Sequence, residues 1–179
     1  MSKISLMPEE QYHRLQQRDT SEVKELWDLL DEVKDPEIPA LSIWDLGILR
    51  DIERRGDHVI VTITPTYSGC PAMDTITEDV KAALNARGYE SLEVKLQLSP
   101  AWSSEWMTQE GRRKLRNYGI APPDDADASE DGLTPDAHAL CPHCGSRDTR
   151  LISEFGSTAC KALFQCQACK ETFDYFKTI

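Results

Sequence analysis

Two closely spaced pairs of cysteines provide the strongest chemical signal in this sequence. Cys141 and Cys144 form one Cys-X-X-Cys pair, and Cys166 and Cys169 form a second pair after residues 145–165. Four thiolates on two tight turns give the tetrahedral sulfur coordination that suits Zn²⁺ in a closed structural site. The same geometry accepts iron, so a mononuclear iron site of the rubredoxin type is the alternative. The spacing therefore predicts a four-cysteine metal site that holds structural Zn²⁺.

A second candidate for sulfur chemistry is Cys70. It follows a run of β-branched residues at 59–64, and a helical pattern of apolar residues begins at Met73. Pro71 suits the first position of that helix, which places Cys70 at or near the N-cap. Unpaired backbone N–H groups and the positive end of the helix dipole favour a thiolate there, so the sequence predicts a lowered pKa for Cys70. The alternative is a small, buried apolar residue at a tight turn.

Two carboxylates are candidate partners for Cys70. Asp35 and Glu37 lie on either side of Pro36, and proline stiffens this loop because its ring fixes φ. One interpretation is a helix end with two solvated acids. The other is a preset turn that directs polar groups into a site near Cys70, and the sequence leaves both interpretations open.

A sixth cysteine, Cys160, lies outside both cysteine pairs. Strand alternation places it on one face with Ala162 and Phe164, which predicts a buried thiol in the small core of the C-terminal region. The alternative is an exposed thiolate that is stabilised by the neighbouring Lys161.

The periodicity of apolar residues predicts the elements that position Cys70. We expect a helix over residues 21–34, a β-hairpin that turns at Gly56 and Asp57, a strand at 59–64, and the helix that follows Cys70. Residues 91–98 alternate without interruption, which predicts a half-buried strand with four apolar residues inward. A strand–helix–strand unit places its two strands parallel. The order α-β-β-α-β thus predicts an α+β fold, a two-layer domain with its helices on one face of the sheet.

The flanking regions show different patterns. Residues 1–18 have no clear period, and we expect a mobile arm or a short, loosely packed helix there. A further helix is predicted from about residue 105 to residue 117, ending at Gly119. Short strands at 150–155, 159–165 and 172–177 accompany the cysteine pairs and predict a small β zinc ribbon.

An acidic segment separates these two parts of the chain. Residues 121–139 hold six acidic residues and no lysine or arginine, so this stretch is predicted to be an extended, self-repelling linker. We therefore expect a first domain at 19–120, an acidic linker at 121–138 and a zinc ribbon at 139–179. A ribbon of this size buries little apolar surface, so the metal would supply most of its folding energy.

The composition limits the classes of function. The chain has 179 residues, of which 40% are hydrophobic and 28% charged, as is ordinary for a soluble globular protein. Charged residues near the N-terminus interrupt any signal-peptide core, and no apolar run approaches the ~18 residues of a membrane span, so we expect a cytoplasmic protein. In that reducing compartment, six cysteines indicate metal or redox roles rather than disulfides. The net charge of −11 argues against nucleic acid and anionic membranes as partners.

Several motifs resemble a known family. The run Asp35-Pro36-Glu37, the run Ser-Ile-Trp-Asp-Leu-Gly-Ile at 42–48 and the Cys70 loop at 64–71 are similar to the iron–sulfur assembly domain of the SufT/MIP type. Residues 67–69 widen the proline-threonine-cysteine-proline run that is usual there. The acidic linker and the ribbon sequence Phe-Gly-Ser-Thr-Ala-Cys-Lys-Ala-Leu at 155–163 are closer still to the PaaD family, which is encoded with phenylacetyl-CoA epoxidase. The resemblance covers residues 20–179.

This resemblance implies an accessory or maturation factor for the multicomponent phenylacetyl-CoA epoxidase of aerobic phenylacetate catabolism. Cys70 would match the family's reactive cysteine, and Asp35 and Glu37 its acidic loop, while Cys160 is a further candidate for holding a transient iron–sulfur cluster or iron. The implied partners are the hydroxylase and reductase subunits of the epoxidase, and a homodimer is a further alternative.

The sequence gives no sign that this chain catalyses the oxidation itself. It lacks the paired Glu-X-X-His motifs of a di-iron site and any glycine-rich dinucleotide fingerprint. A structural or regulatory binding subunit of the oxygenase, with no role in metal transfer, is the main alternative. A thiol-dependent enzyme is less favoured, because no histidine lies near Cys70 in the sequence to act as a base.

Overall fold

The computed structural model describes residues 9–123 and 139–177, which form four α-helices and seven β-strands. The first sheet has the strand order β1-β2-β3. Strands β1 (Leu49–Arg55) and β2 (His58–Ile63) form an antiparallel hairpin, and β3 (Ser91–Leu96) pairs parallel with β2. Helix α3 (Ala72–Asn85) connects β2 to β3. The predicted hairpin, parallel crossover and α+β class are confirmed.

The N-terminal helix packs more tightly than the sequence predicted. Helix α1 (Glu9–Thr20) buries Gln11 and Arg14. The Arg14 guanidinium donates to the backbone carbonyl of Trp106 and lies 4.2 Å from the centroid of the Trp44 ring. Because a buried arginine and a polar glutamine make the contact, the helix shows no apolar period. The expectation of a mobile arm or loose helix is therefore wrong for residues 9–18, and residues 1–8 lie outside the described part of the chain.

Helix α2 (Lys24–Leu30) is shorter than the predicted helix at 21–34. It buries Leu26, Trp27 and Leu30, as the apolar pattern predicted. The N–H of Val33 then bonds to the carbonyl of Leu30 at 3.2 Å, a three-residue spacing that tightens the last turn. The chain leaves the helix there because Lys34 forms an isolated β-bridge with Ser42.

Strand β3 lies at the edge of the first sheet. Leu92 and Val94 are half-buried against the core, whereas Leu96 is 54% exposed and Leu98 is 58% exposed. The prediction of four inward apolar residues is therefore wrong for the last two. Leu98 lies beyond the end of the strand.

The second sheet contains the ribbon and one strand from before the acidic segment. Helix α4 (Gln109–Tyr118) ends at Gly119, as predicted, and leads directly into β4 (Ile120–Ala121). Strands β5 (Thr149–Ser153), β6 (Lys161–Cys166) and β7 (Thr172–Phe176) match the three predicted ribbon strands. The sheet order is β4-β7-β6-β5, with β4 parallel to β7. Most of the acidic linker, residues 124–138, lies outside the described residues.

The ribbon packs against the larger core. Its own core is small and consists of Ala121, Ala139, Cys141, Ala162, Phe164, Cys166, Phe173 and Tyr175. Phe176, at the end of β7, instead joins the core of the first sheet, with its ring centroid 5.7 Å from that of Trp102. The ribbon therefore contacts the larger core through the Phe176 ring. None of the helices in the described ranges has the length and apolar composition that a bilayer span requires.

Candidate functional site

The four paired cysteines converge on one point. Their Sγ atoms all lie within 4.8 Å of one another. The sulfur–sulfur distance is 3.8 Å between Cys141 and Cys169 and 3.5 Å between Cys144 and Cys166. A metal ion with four 2.3 Å bonds to sulfur requires tetrahedron edges of about 3.8 Å. The thiols are therefore already placed to surround one tetrahedral ion.

The two cysteine pairs adopt equivalent turns. The N–H of Gly145 donates to the carbonyl of Cys141 at 2.9 Å, and the N–H of Lys170 donates to the carbonyl of Cys166 at 3.0 Å. Both residues have positive φ, 75° for Gly145 and 67° for Lys170. Residues with a Cβ disfavour this left-handed conformation. Lys170 therefore bears a backbone cost that glycine avoids at the matching position.

Backbone donors prepare one of the four ligands. The N–H of Cys169 lies 3.5 Å from the Sγ of Cys166. This hydrogen bond, with help from the N–H of Ala168, lowers the pKa of Cys166 to about 6. The thiolate is the form that ligates metal, so this cysteine is ready to bind at neutral pH.

Cys70 lies at the start of α3. Gly69, with φ of 85°, turns the chain just before it, and Pro71 has the first helical backbone angles, φ −68° and ψ −20°. The backbone N–H of Ala72 donates toward the Cys70 thiol. The thiol is half-buried against the larger core. The predicted position at the helix N-terminus is thus confirmed.

The predicted lowering of the Cys70 pKa is wrong. Burial raises the pKa of the thiol, and the nearby carboxylates of Glu37 and Asp35 raise it further. Hydrogen bonds from the N–H of Ala72 and from the hydroxyl of Tyr67 act in the opposite direction but are outweighed. The neutral thiol is therefore the resting form at neutral pH. Sequence reasoning counted the helix terminus but not the burial of the thiol or the effect of the charges on Asp35 and Glu37.

Asp35 and Glu37 lie on a loop that is fixed by the first of the two carboxylates. Asp35 is 7% exposed, and its Oδ1 accepts hydrogen bonds from the N–H groups of Glu37 at 2.9 Å and Ile38 at 2.8 Å. Such a turn is built from the aspartate's own following residues. Burial raises the pKa of both carboxyl groups. The loop is thus a preset turn that buries the Asp35 carboxylate, whereas Glu37 remains exposed to solvent.

Cys160 is buried, but not in the core that the sequence predicted. It is 6% exposed and belongs to the larger core, whereas Ala162 and Phe164 lie in the ribbon core. The alternation argument fails because β6 begins only at Lys161. The Oγ1 of Thr158 lies 3.0 Å from the Cys160 Sγ. Burial raises the pKa of Cys160, and Thr158 and Lys161 lower it only in part.

Lys161 is buried at the start of β6. It is 4% exposed, and its positive charge lowers the pKa values of Asp35, Glu37 and Cys160. Among the described residues, Lys161 has no ion-pair partner within 4.0 Å and no side-chain hydrogen bond. The alternative of an exposed Cys160 thiolate beside an exposed lysine is therefore wrong, since both side chains are buried.

These four ligand candidates, Asp35, Glu37, Cys70 and Cys160, form what we name the thiol site. A negative charge on Cys70 raises the pKa of Cys160, and Glu37 affects both thiols. Within the described ranges, however, the four paired cysteines are the one group of three or more metal-binding side chains whose ligand atoms all lie within 4.8 Å of one another. No three ligand atoms of the thiol site therefore lie within 4.8 Å of one another, in contrast to those of the four-cysteine cluster. Thiols and carboxylates can both ligate iron once they are deprotonated.

Sequence reasoning did not single out Tyr67 as a member of this site. Its hydroxyl interacts with the Cys70 thiol, and burial, followed by the charges of Cys70, Cys160 and Glu37, raises its pKa. Its position three residues before Cys70 in the same loop was the available signal. The burial of Lys161 was also not predicted, because it depends on how the ribbon packs against the larger core.

Each of the two parts of the chain matches a known protein family. Residues 24–96 match the iron–sulfur cluster assembly protein family, and residues 125–177 match the PaaD zinc beta ribbon domain. A putative subunit of the 1,2-phenylacetyl-CoA epoxidase of Escherichia coli K12 is 48% identical over 158 residues, which cover 88% of this chain and 94% of that protein. The chain belongs to the PaaD family.

Two other similar proteins match the first part of this PaaD-family chain. An Fe–S protein maturation auxiliary factor of Porphyromonas gingivalis W83 is 35% identical over 89 residues, which cover 49% of this chain and 84% of that protein. The crystal structure of a domain of unknown function from Bacillus anthracis shares 32% identity over 51% of this chain and 89% of its own, with a TM-score of 0.48. The Escherichia coli relative and the ribbon match confirm the resemblance to the PaaD family that the sequence motifs indicated.

Proposed function

We propose that this PaaD-family chain is an accessory factor of phenylacetyl-CoA epoxidase and assists the assembly of an iron–sulfur or iron centre through Cys70. The observation that supports this role is that Cys70 and Cys160, from separate segments, pack in the same core, and that the charge of Glu37, from a third segment, acts on both thiols. The Escherichia coli relative is named as a subunit of the epoxidase, and the Porphyromonas gingivalis relative as an Fe–S maturation factor. The proposed partners are the hydroxylase and reductase subunits, and the proposed location is the cytoplasm.

The four-cysteine cluster is proposed to hold Zn²⁺ in a structural role. Four protein ligands leave no open position for chemistry, and the sulfur separations fit one tetrahedral ion. Cys166 ends strand β6, and Cys160 precedes the other end of the same strand. The ion would therefore fix, through β6, the ribbon residues that face Cys70. We keep the predicted units of 19–120, 121–138 and 139–179 as part of this proposal.

The raised pKa of Cys70 suits a ligand that must both take up and release iron. A protonated thiol must lose its proton before it coordinates a metal, so protons compete with iron at neutral pH. The same two carboxylates that raise the Cys70 pKa attract a metal cation to the site and provide oxygen ligands. Coordination is thus weakened relative to a preformed thiolate, as transfer to another protein requires.

The proposal is tested in cells that produce the epoxidase but lack their own copy of this chain. Cys70→Ser removes one sulfur at a half-buried position, while Ser68→Ala alters an exposed residue of the same loop. Epoxidase activity and the iron content of the purified hydroxylase and reductase are measured together. We expect Cys70→Ser to lose most of the activity and Ser68→Ala to keep it, with unchanged zinc in both. Full activity with Cys70→Ser would overturn the proposal.

The alternative of a structural or regulatory subunit makes a different prediction. It draws on the description of the Escherichia coli relative as a subunit of the epoxidase. A structural subunit would purify with the hydroxylase in a fixed ratio, and Cys70→Ser would change neither that ratio nor the activity. That pair of results would replace metal transfer with scaffolding as the function.

A further inference from the structure

The outer edge of strand β3 is a row of backbone hydrogen-bonding groups. The strand order β1-β2-β3 leaves this edge without a neighbouring strand in the described part of the chain. The N–H of Gln97 donates to the carbonyl of Ile63 on β2, and successive residues of a strand direct their N–H and C=O groups to opposite sides. The backbone groups of Leu92, Val94 and Leu96 therefore point away from β2. Such an edge is a template for pairing with a further strand.

The other edge of the same sheet is less suited to pairing. Strand β1 has a register irregularity between Leu49 and Asp51, and a bulge of this kind blunts an edge. Strand β3 instead pairs with β2 without a shift from Ser91 to Leu96, and the Leu96 side chain is exposed. The regular edge of β3 is therefore the one that a second strand can extend.

The side chains of β3 are complementary to a second copy of the same strand. In an antiparallel pair, residues that direct their backbone groups toward the partner lie opposite each other. A pair centred on Val94 thus places Leu92 opposite Leu96 of the other copy, and Glu93 opposite Lys95 of the other copy. Glu93 and Lys95 are both exposed, and opposite charges directly across a strand pair are favourable. By symmetry, the pair contains two such ion pairs.

The charges also select this register over its neighbours. The outward-pointing backbone groups recur at every second residue, so the strands can shift only in steps of two residues. One step in either direction centres the pair on Glu93 or on Lys95 and places that residue opposite its own copy. Like charges directly opposite each other are destabilising. The register centred on Val94 is therefore favoured, and it is also the one that pairs the whole strand.

We propose that two copies of this chain pair through the outer edges of β3, antiparallel and centred on Val94, to form a continuous six-stranded sheet. The interface is isologous, because both copies use the same patch. Its contacts are the backbone hydrogen bonds and apolar side chains of Leu92, Val94 and Leu96, and the two pairs of Glu93 with Lys95. This inference goes beyond the proposed function and is independent of the role of Cys70.

The test measures the sedimentation of the full zinc-loaded chain in low-salt buffer at concentrations up to about 1 mM. We expect the unaltered chain to form a dimer as its concentration rises. Glu93→Lys and Lys95→Glu each convert both ion pairs into like-charge pairs, so each variant alone should raise the dimer Kd about tenfold. An equimolar mixture of the two variants restores opposite charges across the edge and should form a mixed dimer. Dimerisation of the mixture also shows that both variants are folded.

A charge reversal at the other edge of the sheet is the control. Arg55→Glu on β1 alters an exposed side chain with the same change in net charge as Lys95→Glu, and it should leave the dimer Kd unchanged. A monomeric unaltered chain over the whole concentration range would overturn the inference. So would single β3 variants that dimerise as well as the unaltered chain, or a mixture that forms no more dimer than either variant alone. None of these results affects the proposed function, which depends on the Cys70→Ser measurement in cells.

Discussion

Cys160 is buried in the larger core and Cys70 packs against the same core, where a negative charge on the Cys70 thiol raises the pKa of Cys160. Cys70 lies at the start of α3, whereas Cys160 precedes β6 in the ribbon and is buried in the larger core. The ribbon thus supplies part of the thiol site. A change at the metal end of the ribbon should consequently be detectable at the thiol site, and the first prediction uses this connection.

Removal of the ribbon metal should expose Cys160. We expect the unaltered chain to contain one zinc ion, and a strong chelator to unfold β5, β6 and β7, because the small ribbon core cannot fold without it. Cys160, which is 6% exposed, should then react much faster with an alkylating reagent, as measured by mass spectrometry of its peptide. Zinc should restore protection in the unaltered chain but not in Cys144→Ser. Continued protection of Cys160 without metal would show that the ribbon folds by itself.

The Cys70 thiol should titrate above the ordinary pKa of a cysteine. Burial and the charges of Glu37 and Asp35 raise this pKa, so the alkylation rate of the Cys70 peptide should reach its midpoint at a correspondingly high pH. Glu37→Gln removes one negative charge and should lower the midpoint. Glu22→Gln, an exposed residue, serves as the control and should leave it unchanged. A midpoint below the ordinary value in the unaltered chain would contradict the electrostatics described here.

Lys170→Gly should stabilise the ribbon. Lys170 has a φ of 67°, and a glycine relieves the strain of a side chain in this conformation by about 1 kcal/mol. Gly145→Ala is the reverse change at the matching turn, where a Cβ meets open space, so its penalty comes from the backbone alone. Thermal unfolding of the zinc-loaded chain should show a higher Tm for the first variant and a lower Tm for the second. Opposite signs would mean that the two turns are not equivalent.

Lys114→Met should destabilise the first domain, because Asp45 would remain buried without its partner. The Lys114 Nζ lies 2.6 Å from the Asp45 Oδ2, and the Asp45 side chain is 5% exposed. Removal of one member of such a pair costs about 3 kcal/mol, which urea unfolding at neutral pH would detect. Arg113→Met breaks an exposed pair with Glu110 on the same helix and should have no measurable effect. Similar losses for both variants would show that Asp45 is not the cause.

The same pair predicts how stability depends on pH. Burial alone would raise the pKa of Asp45, but hydrogen bonds from Lys114, the N–H of Ser42 and Thr108 outweigh it and leave the pKa below its ordinary value. The unfolded chain therefore binds this proton more readily, and the stabilisation is fully present above the unfolded pKa of about 4. It is lost as the pH falls through the folded value. Urea unfolding from about pH 5 down to about pH 2, a range that brackets the unfolded pKa, should show this loss in the unaltered chain and not in Asp45→Asn.

Local sequence patterns correctly predicted those features that are determined by residues adjacent in the chain. The two Cys-X-X-Cys turns, the hairpin at Gly56 and the helix stop at Gly119 each follow from a few residues and their backbone preferences. The position of Cys70 at a helix start likewise follows from Pro71 and the apolar period after it. These features were confirmed because little in the rest of the chain can alter them.

Contacts between distant segments were not predictable in the same way. The packing of α1 depends on Arg14 against Trp44, which no apolar period reveals. Strand β4 exists because Ile120 and Ala121 pair with β7, and two residues provide no periodic signal. The raised pKa of Cys70 and the burial of Lys161 depend on where the acidic loop and the ribbon meet. In each case, the deciding interaction joins residues that are far apart in the chain.

The most direct test of the proposed role is transfer of iron from this chain to its proposed partner. The chain is loaded with an iron–sulfur complex that contains isotopically labelled iron, mixed with metal-free reductase or hydroxylase in the presence of a chelator, and separated again. We predict that labelled iron and activity appear in the partner with the unaltered chain and with Ser68→Ala, but not with Cys70→Ser. Equal transfer by Cys70→Ser, or loss of all label to the chelator from the unaltered chain, would contradict a role of Cys70 in metal-centre assembly.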